Sequence, residues 1–593
     1  GTGTGKTFAY LAPALLSGKK FIVSTGTKNL QEQLFHRDLP VIKKAVDKTR
    51  RAALLKGRSN YLCLHRIKQH GGGNQLFERE TLHEFSLVKK WATTTSSGDI
   101  GEITSLPENA KVLPFVTSTI DNCLGKECAD YEDCYLVKAR REALEADVIV
   151  VNHHLFFADL ALKDTGFGEL IPQVDAVIFD EAHQIPDIAS QYFGTNLSSR
   201  QVFDLCSDII AIQKTQLKDA NQLASVAEKI QLYLNDLRLL FGSQPSRGNW
   251  RVALERPEVK AQIDSLAEGL KQLFAVSIAQ QGRSKELDTI NERLFEFNER
   301  LNLLSDAAQQ GVSLWYETTP KHIALHLTPL SIADKFNAMM NEQEGAWMFT
   351  SATLMVANSF AHFQQLMGLG HAKTLALDSP FDYQNQSILC VPRFLPEPNS
   401  RAMASQLVDI AIGAIEASRG RCFILFTSHQ MMRETAALVA EKIDNPILLQ
   451  GESPKSVLLS RYVSEKNAVL FGTGAFWEGV DVKGDDLCCV VIDKLPFAAP
   501  DDPLLQARIE DCKKRGGNAF AEIQIPQAVI ALKQGAGRLI RDEQARGVLI
   551  ICDNRLVTKQ YGQSFISSLP NMKRTRSLAS TYAFLTDTNR EEI

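Results

Sequence analysis

Apolar residues in this chain follow two rhythms. In the first, short unbroken runs are bounded by polar residues or glycine: DVIVV at 147–151, AVIF at 176–179, RCFILFTS at 421–428, NAVLFGTG at 467–474, LCCVVID at 487–493 and GVLIICD at 547–553. Such runs lack polar alternation, which predicts strands covered on both faces, as in parallel sheets flanked by helices. In the second, from about 198 to 312, apolar positions step by three and four. Leu223, Val226, Ile230, Leu234, Leu237 and Phe241 form one series, and Leu287, Ile290, Leu294, Phe297, Leu301 and Leu304 another. That spacing predicts amphipathic helices whose stripes pack into a core, joined by turns such as GSQPSRGN. Strand-bearing segments therefore flank a helical block, and the predicted class is α/β.

Composition narrows the functional classes. The 593 residues are enough for three or four domains, and 44% hydrophobic content is ordinary for a globular chain. No run approaches the roughly 18 apolar residues needed to cross a bilayer, so a membrane role is not expected. A net charge of −4 neither requires nor excludes a nucleic-acid partner, because binding grooves are local. The chain opens on GTGTGKT, with neither methionine nor a charged-then-apolar leader, and is expected to begin partway into a motif. Its 11 cysteines fall far below the density of a disulfide scaffold, which predicts a reducing compartment, the cytoplasm.

Three segments carry phosphate chemistry. GTGTGKT, from Gly1 through Thr2, Gly3, Thr4, Gly5, Lys6 and Thr7, supplies a glycine-rich turn whose backbone N–H groups can close around the phosphates of ATP. Lys6 would place a cation on the β and γ phosphates and Thr7 a hydroxyl on Mg²⁺, while FAYLAPALL continues as the helix whose positive end faces them. In DAVIFDEAHQIPD, a strand delivers Asp180 and Glu181 at its C-terminal end, where open α/β sheets place their chemistry. Asp180 would hold Mg²⁺ and Glu181 would orient or deprotonate the attacking water. In QAVIALKQGAGRLIRD, Gln534, Arg538 and Arg541 recur at helical spacing, so the two arginines are expected to share a face, with Arg541 as the arginine finger. The small residues of QGAG predict close approach to another backbone.

The cysteines divide. Cys123, Cys128 and Cys134 lie in CLGKECADYEDC, and Cys63 lies sixty residues earlier in KGRSNYLC. Neither of the Cys-x-x-Cys knuckles common in structural zinc sites is present, and a four-thiolate cluster tolerates uneven spacing; spacing alone leaves zinc and an iron–sulfur cluster equally open. Cys206, Cys390, Cys422, Cys488, Cys489, Cys512 and Cys552 sit mostly on apolar runs and are expected to be small buried hydrophobes. The adjacent His153 and His154 point to opposite sides of a strand and make poor joint ligands, so they are expected to be structural or DNA-facing, with the structural role favoured.

The order of motifs resembles that of superfamily 2 helicases: GTGTGKT, STGTKN at 24–29, DEAH at 180–183, TSATL at 350–354, FTSHQ at 426–430, GTGAFWEGVD at 472–481 and QGAGRLIR at 534–541. The cysteines and insertions narrow the resemblance to the DinG/XPD-type iron–sulfur helicases, over essentially the whole chain. The resemblance implies two RecA-like P-loop domains, with an iron–sulfur insertion and a helical arch insertion in the first. The implied division is 1–57, 146–197 and 313–370 for the first RecA-like domain, 58–145 for the iron–sulfur domain, 198–312 for the arch and 371–593 for the second RecA-like domain. It implies a [4Fe-4S] cluster on Cys63, Cys123, Cys128 and Cys134, and translocation 5′ to 3′ on single-stranded DNA with unwinding of 5′-tailed or forked duplex, in repair or fork maintenance. Ser24, Thr25, Thr427 and Ser428 are expected to grip the sugar–phosphate backbone without reading bases. Trp477 and Phe476 are expected either to stack on bases or to pack. The segment after Leu569 is expected either to dock a replication or repair protein or to pack as a helix on the second domain. The readings in competition are a DEAH-type RNA helicase and a redox-sensing or partner-binding protein with a vestigial motor.

Overall fold

The computed structural model describes residues 4–588 apart from 72–78, 104, 108–109, 120–121, 165–171, 399, 478–481 and 483–485. Gly1, Thr2 and Gly3 of the first motif, and 478–481 of GTGAFWEGVD, lie outside the described residues.

The unbroken apolar runs form two parallel sheets. The first has the order Ala52–Leu54, Val148–Asn152, Phe21–Thr25, Ala176–Asp180, Ala346–Thr350. Phe21 aligns with Val148 on one side and Ala176 on the other, so the C-terminal ends, and the loops after Thr25, Asn152 and Asp180, share one edge. The second has the order Ile447–Leu449, Val469–Gly472, Cys422–Leu425, Cys489–Ile492, Gly547–Ile551, Ser387–Cys390, Lys573–Thr575. Its central strands are buried at every position because helices cover both faces.

The block from Ser199 to Ser305 is helical, and both apolar stripes face inward. Leu223, Ile230, Leu287, Leu294, Phe297 and Leu304 are all fully buried in one cluster, and Phe241 packs at its margin. The first helix, Ser199–Thr215, starts on a reciprocal cap. The Ser198 hydroxyl accepts from the Gln201 N–H and the Gln201 side chain accepts from the Ser198 N–H, an arrangement worth about 1 kcal/mol.

The boundary expected at 312 is corrected. Val312–Thr318 and Ile323–Pro329 form an antiparallel hairpin that pairs with Arg247–Asn249 and Thr195–Ser198. Leu314, Ile323, Leu325 and Leu327 complete the helical cluster, so this unit runs through Pro329 instead of stopping at 312. Only alternate residues of Ile323–Leu327 are buried, which is the pattern of a sheet with one covered face.

Among the described residues, the cysteine-bearing insertion has one small apolar cluster, Leu62, Phe85, Val88, Ile100, Ile103, Ala110, Val112 and Val116. At the other end of the chain, the segment after Leu569 packs. Lys573–Thr575 adds to the second sheet beside Ser387–Cys390, and Tyr582 in the last helix donates to the Ile410 carbonyl at 3.1 Å while Leu585 is buried. Of the two expectations for this segment, the structure matches packing of a helix on the second domain.

Candidate functional site

The helix Lys6–Leu16 begins at Gly5, which has φ 78° and ψ 26°. This left-handed conformation favours glycine and turns the loop into the helix, aiming its first N–H groups toward the edge that carries Asp180 and Glu181. Lys6 Nζ donates to Glu181 Oε1 at 2.8 Å and lies 3.9 Å from Asp180 Oδ1. Burial works against the charge on Lys6, but Glu181 and Asp180 more than offset it, and its pKa is raised. Burial, with Glu181 adjacent, carries the Asp180 carboxyl up to about 6. Burial would also raise Glu181, but the hydrogen bond from His183 and the Lys6 charge outweigh it, and Glu181 stays below the usual carboxylate range. Glu181 itself has φ 53°, a left-handed backbone costly for any residue but glycine and a mark of functional sites.

A second set of contacts joins these carboxylates to both halves of the molecule. The Ser351 hydroxyl, in TSATL, donates to Glu181 Oε2 at 3.1 Å and meets His183 Nδ1 at 2.9 Å. His183 Nε2 meets the Gln534 side-chain amide of the helix Ile525–Ala536. With the amide N–H donating to Nε2, the ring proton sits on Nδ1 and the chain runs in one direction: Gln534 to His183, His183 to Ser351, Ser351 to Glu181. The DEAH spelling contained His183, yet its role was not read from sequence, because spacing does not reveal a partner 351 residues away.

The shared helical face expected for Arg538 and Arg541 is corrected. The helix ends at Ala536, so the helical register stops before either residue. Arg538 donates to the Trp477 carbonyl through Nε at 3.2 Å and Nη2 at 2.6 Å, and Arg541 follows in non-helical chain, half-buried. The close approach expected at QGAG is also different in kind: Gly535 sits against the Trp477 ring, not another backbone. Trp477 and Phe476 are both buried in the second-domain core, so they pack.

Of the expected backbone-gripping hydroxyls, two need correction. Ser24 and Thr25 are fully buried. Ser24 Oγ lies 2.7 Å from His153 Nδ1, and burial lowers His153 to about 3. These are structural groups, and His153 and His154 open a helix instead of ending a strand. Thr427 donates through both N–H and Oγ1 to the buried Asp493, at 3.0 and 3.1 Å, and Ser428 caps the helix His429–Ala440. Thr25 donates to the Thr27 carbonyl at 3.3 Å, so all four side chains have internal partners, while Thr427 and Ser428 remain half-buried. A cleft of about 1000 Å³ is lined by Gly26, Thr27, His154, His183 and Gln534, and by Arg247, Trp315 and His326 of the antiparallel sheet. There Trp315 stacks on His326 at 3.9 Å between ring centres, with the Arg247 guanidinium over its other face.

Cys63, Cys123, Cys128 and Cys134 line one cavity of about 90 Å³, with Arg58 and Arg140 in its wall. All four thiols are half-buried, whereas the other seven are buried as expected for packing. Backbone N–H groups point at sulfur: Gly125 N lies 3.4 Å from Cys123 Sγ, and Cys63 receives bonds from the Arg66 and His65 backbone. Converging sulfurs, N–H donors and two cations fit a [4Fe-4S] cluster carried by thiolates. His65, Cys128 and Asp130 also bring their donor atoms within 4.8 Å of one another, a set that shares Cys128 with the four.

A phosphate loop opening a helix, an acidic pair at the end of a neighbouring strand and Gln534 from a helix packed on a second parallel sheet define the class of two-sheet P-loop nucleotide-binding proteins. A family described as Helicase C-terminal domain matches residues 412–572. The chain is 53% identical to the ATP-dependent DNA helicase YoaA of Haemophilus influenzae, covering 99% of this chain and 92% of that one. It is 29% identical to the ATP-dependent DNA helicase DinG of Photobacterium profundum, covering 97% and 91%. The solved structure of an XPD helicase superposes over 97% of this chain and 94% of its own with a TM-score of 0.54, at 15% identity, a likeness of fold. The chain belongs to the YoaA and DinG family of ATP-dependent DNA helicases.

Proposed function

We propose that this chain is an ATP-dependent DNA helicase that translocates 5′ to 3′ on single-stranded DNA and separates 5′-tailed or forked duplex. The observation that carries the reading is the hydrogen-bonded chain from Gln534 through His183 and Ser351 to Glu181, because it ties the acidic pair beside the phosphate loop to the second sheet. In this reading the loop N–H groups and Lys6 bind the phosphates, and Thr7 and Asp180 hold Mg²⁺. Bound there, the cation would supply positive charge against the negative charge that develops on the phosphates. Glu181 accepts the proton of the attacking water. Movement of the second sheet and the helix packed on it shifts Gln534, and the shift reaches Glu181 through three hydrogen bonds, so hydrolysis and domain approach are coupled. Arg538 and Arg541 reach the phosphates only when the sheets close.

Cys63, Cys123, Cys128 and Cys134 hold the [4Fe-4S] cluster, which supplies four metal–thiolate cross-links to an insertion with a small core. The stapled insertion at 58–145 acts as a wedge, and the helical unit arches over the strand, which lies in the large cleft. Lys6→Ala tests the motor: ATP hydrolysis should vanish while DNA binding remains, and unchanged hydrolysis overturns the reading.

A further inference from the structure

Tyr10 lies one helical turn beyond Lys6 and Thr7 on the same face of the first helix. It is only 4% exposed, and its hydroxyl lies 3.3 Å from Asp180 Oδ2 while also bonding the Thr7 side chain. An ionised carboxylate only accepts, and a phenol has a single proton. Tyr10 must therefore donate to Asp180, and Thr7 must donate to Tyr10. This order turns the Thr7 proton toward Tyr10 and leaves a lone pair of its oxygen free on another side. Meanwhile Asp180 Oδ1 accepts from the Glu181 N–H at 3.1 Å, so each oxygen of that carboxylate has a fixed donor.

We propose that Tyr10 is a positioning residue for the divalent cation, its hydroxyl locking the Thr7 hydroxyl and the Asp180 carboxylate into one preformed pair of oxygen ligands. This rests on the reading above, in which Thr7 and Asp180 hold Mg²⁺. The Tyr10 ring packs with Leu11, Leu15, Phe21, Val23 and Ile178. Phenylalanine preserves that packing and removes only the hydroxyl.

The test compares wild type with Tyr10→Phe. Mn²⁺ binding is followed by electron paramagnetic resonance with saturating ADP, and thermal melting and nucleotide binding in EDTA are measured alongside. Outer-shell partners of metal ligands typically contribute roughly 10- to 100-fold in metal affinity. The variant should bind Mn²⁺ weaker by about that factor, melt as wild type does, bind nucleotide equally in EDTA and regain ATP hydrolysis at high Mg²⁺. Mn²⁺ affinity within about twofold of wild type overturns the role of Tyr10. Wild type that binds no Mn²⁺ in the presence of nucleotide overturns instead the assignment of Thr7 and Asp180 as cation ligands.

Discussion

Replacing His183 by alanine removes the middle of the chain that joins Gln534 to Glu181. Both ring nitrogens are engaged and the side chain is 6% exposed, so water does not readily take its place. Two net hydrogen bonds are worth about 2 kcal/mol together, and Gln534, itself 8% exposed, is left with a buried donor to satisfy. Because the lost contact spans the two sheets, the cost should fall on the state in which they are close, and so on DNA-stimulated hydrolysis more than on nucleotide binding. The assay is the ATPase rate of wild type, His183→Ala, Gln534→Ala and the double variant, with and without oligo(dT). The coupling energy between the two positions should be about 1–2 kcal/mol, so the double variant loses roughly 5- to 30-fold less than the two single losses multiplied. Both single variants should hold ATP nearly as wild type does. Strict additivity, with a coupling energy below about 0.3 kcal/mol, would refute the relay.

Other consequences can be checked more briefly. Cys128→Ser should lower the iron and acid-labile sulfide of the purified protein, whereas Asp130→Ala should leave both intact. Loss of iron in the Asp130 variant would make the His65, Cys128 and Asp130 set the metal site, and stoichiometric zinc in wild type would remove the cluster altogether. Burial lowers Lys533 to about 8, with Nζ donating to the Met355 carbonyl at 2.9 Å. Its folded pKa lies below the unfolded value, so the unfolded state binds more protons between about pH 8 and 10.5, and stability should rise through that window. Lys533→Met should flatten that rise in urea-denaturation midpoints; an unaltered slope would mean the lysine is not held in a low-dielectric site.

Much of this architecture was legible because parallel sheets bury both faces of a strand, so AVIF, CFIL and GVLII stand out without help from neighbours. The helical stripes were legible for the corresponding reason at a period near 3.6. The antiparallel sheet was missed: Thr195–Ser198 and Arg247–Asn249 are only four and three residues long and gain their meaning from partners more than sixty residues away. Among site residues, Lys6, Asp180 and Glu181 converge as their motifs suggested. Arg538 and Arg541 did not follow the helical rule, because the helix ends at Ala536. Ser24 and Thr25 have the right chemistry for a phosphate grip but sit in a strand buried at all five positions. A hydroxyl's side of a strand is set by what packs on it, and the sequence does not carry that information locally. Tyr10 and His183 were hidden for a simpler reason. Tyr10 lies beside a motif and His183 within one, and the contact that singles each out is with a partner 170 or 351 residues away.

ATP hydrolysis at Lys6, Asp180 and Glu181 should drive separation of DNA strands. This is tested most directly by strand displacement on duplexes with a 5′ or a 3′ single-stranded tail, with ATP or a non-hydrolysable analogue, using wild type and Glu181→Gln. Wild type should release the strand only from the 5′-tailed duplex and only with ATP, while Glu181→Gln should bind the same DNA and release nothing. Release by the Glu181 variant at the wild-type rate, or release by wild type with the analogue, would contradict the account.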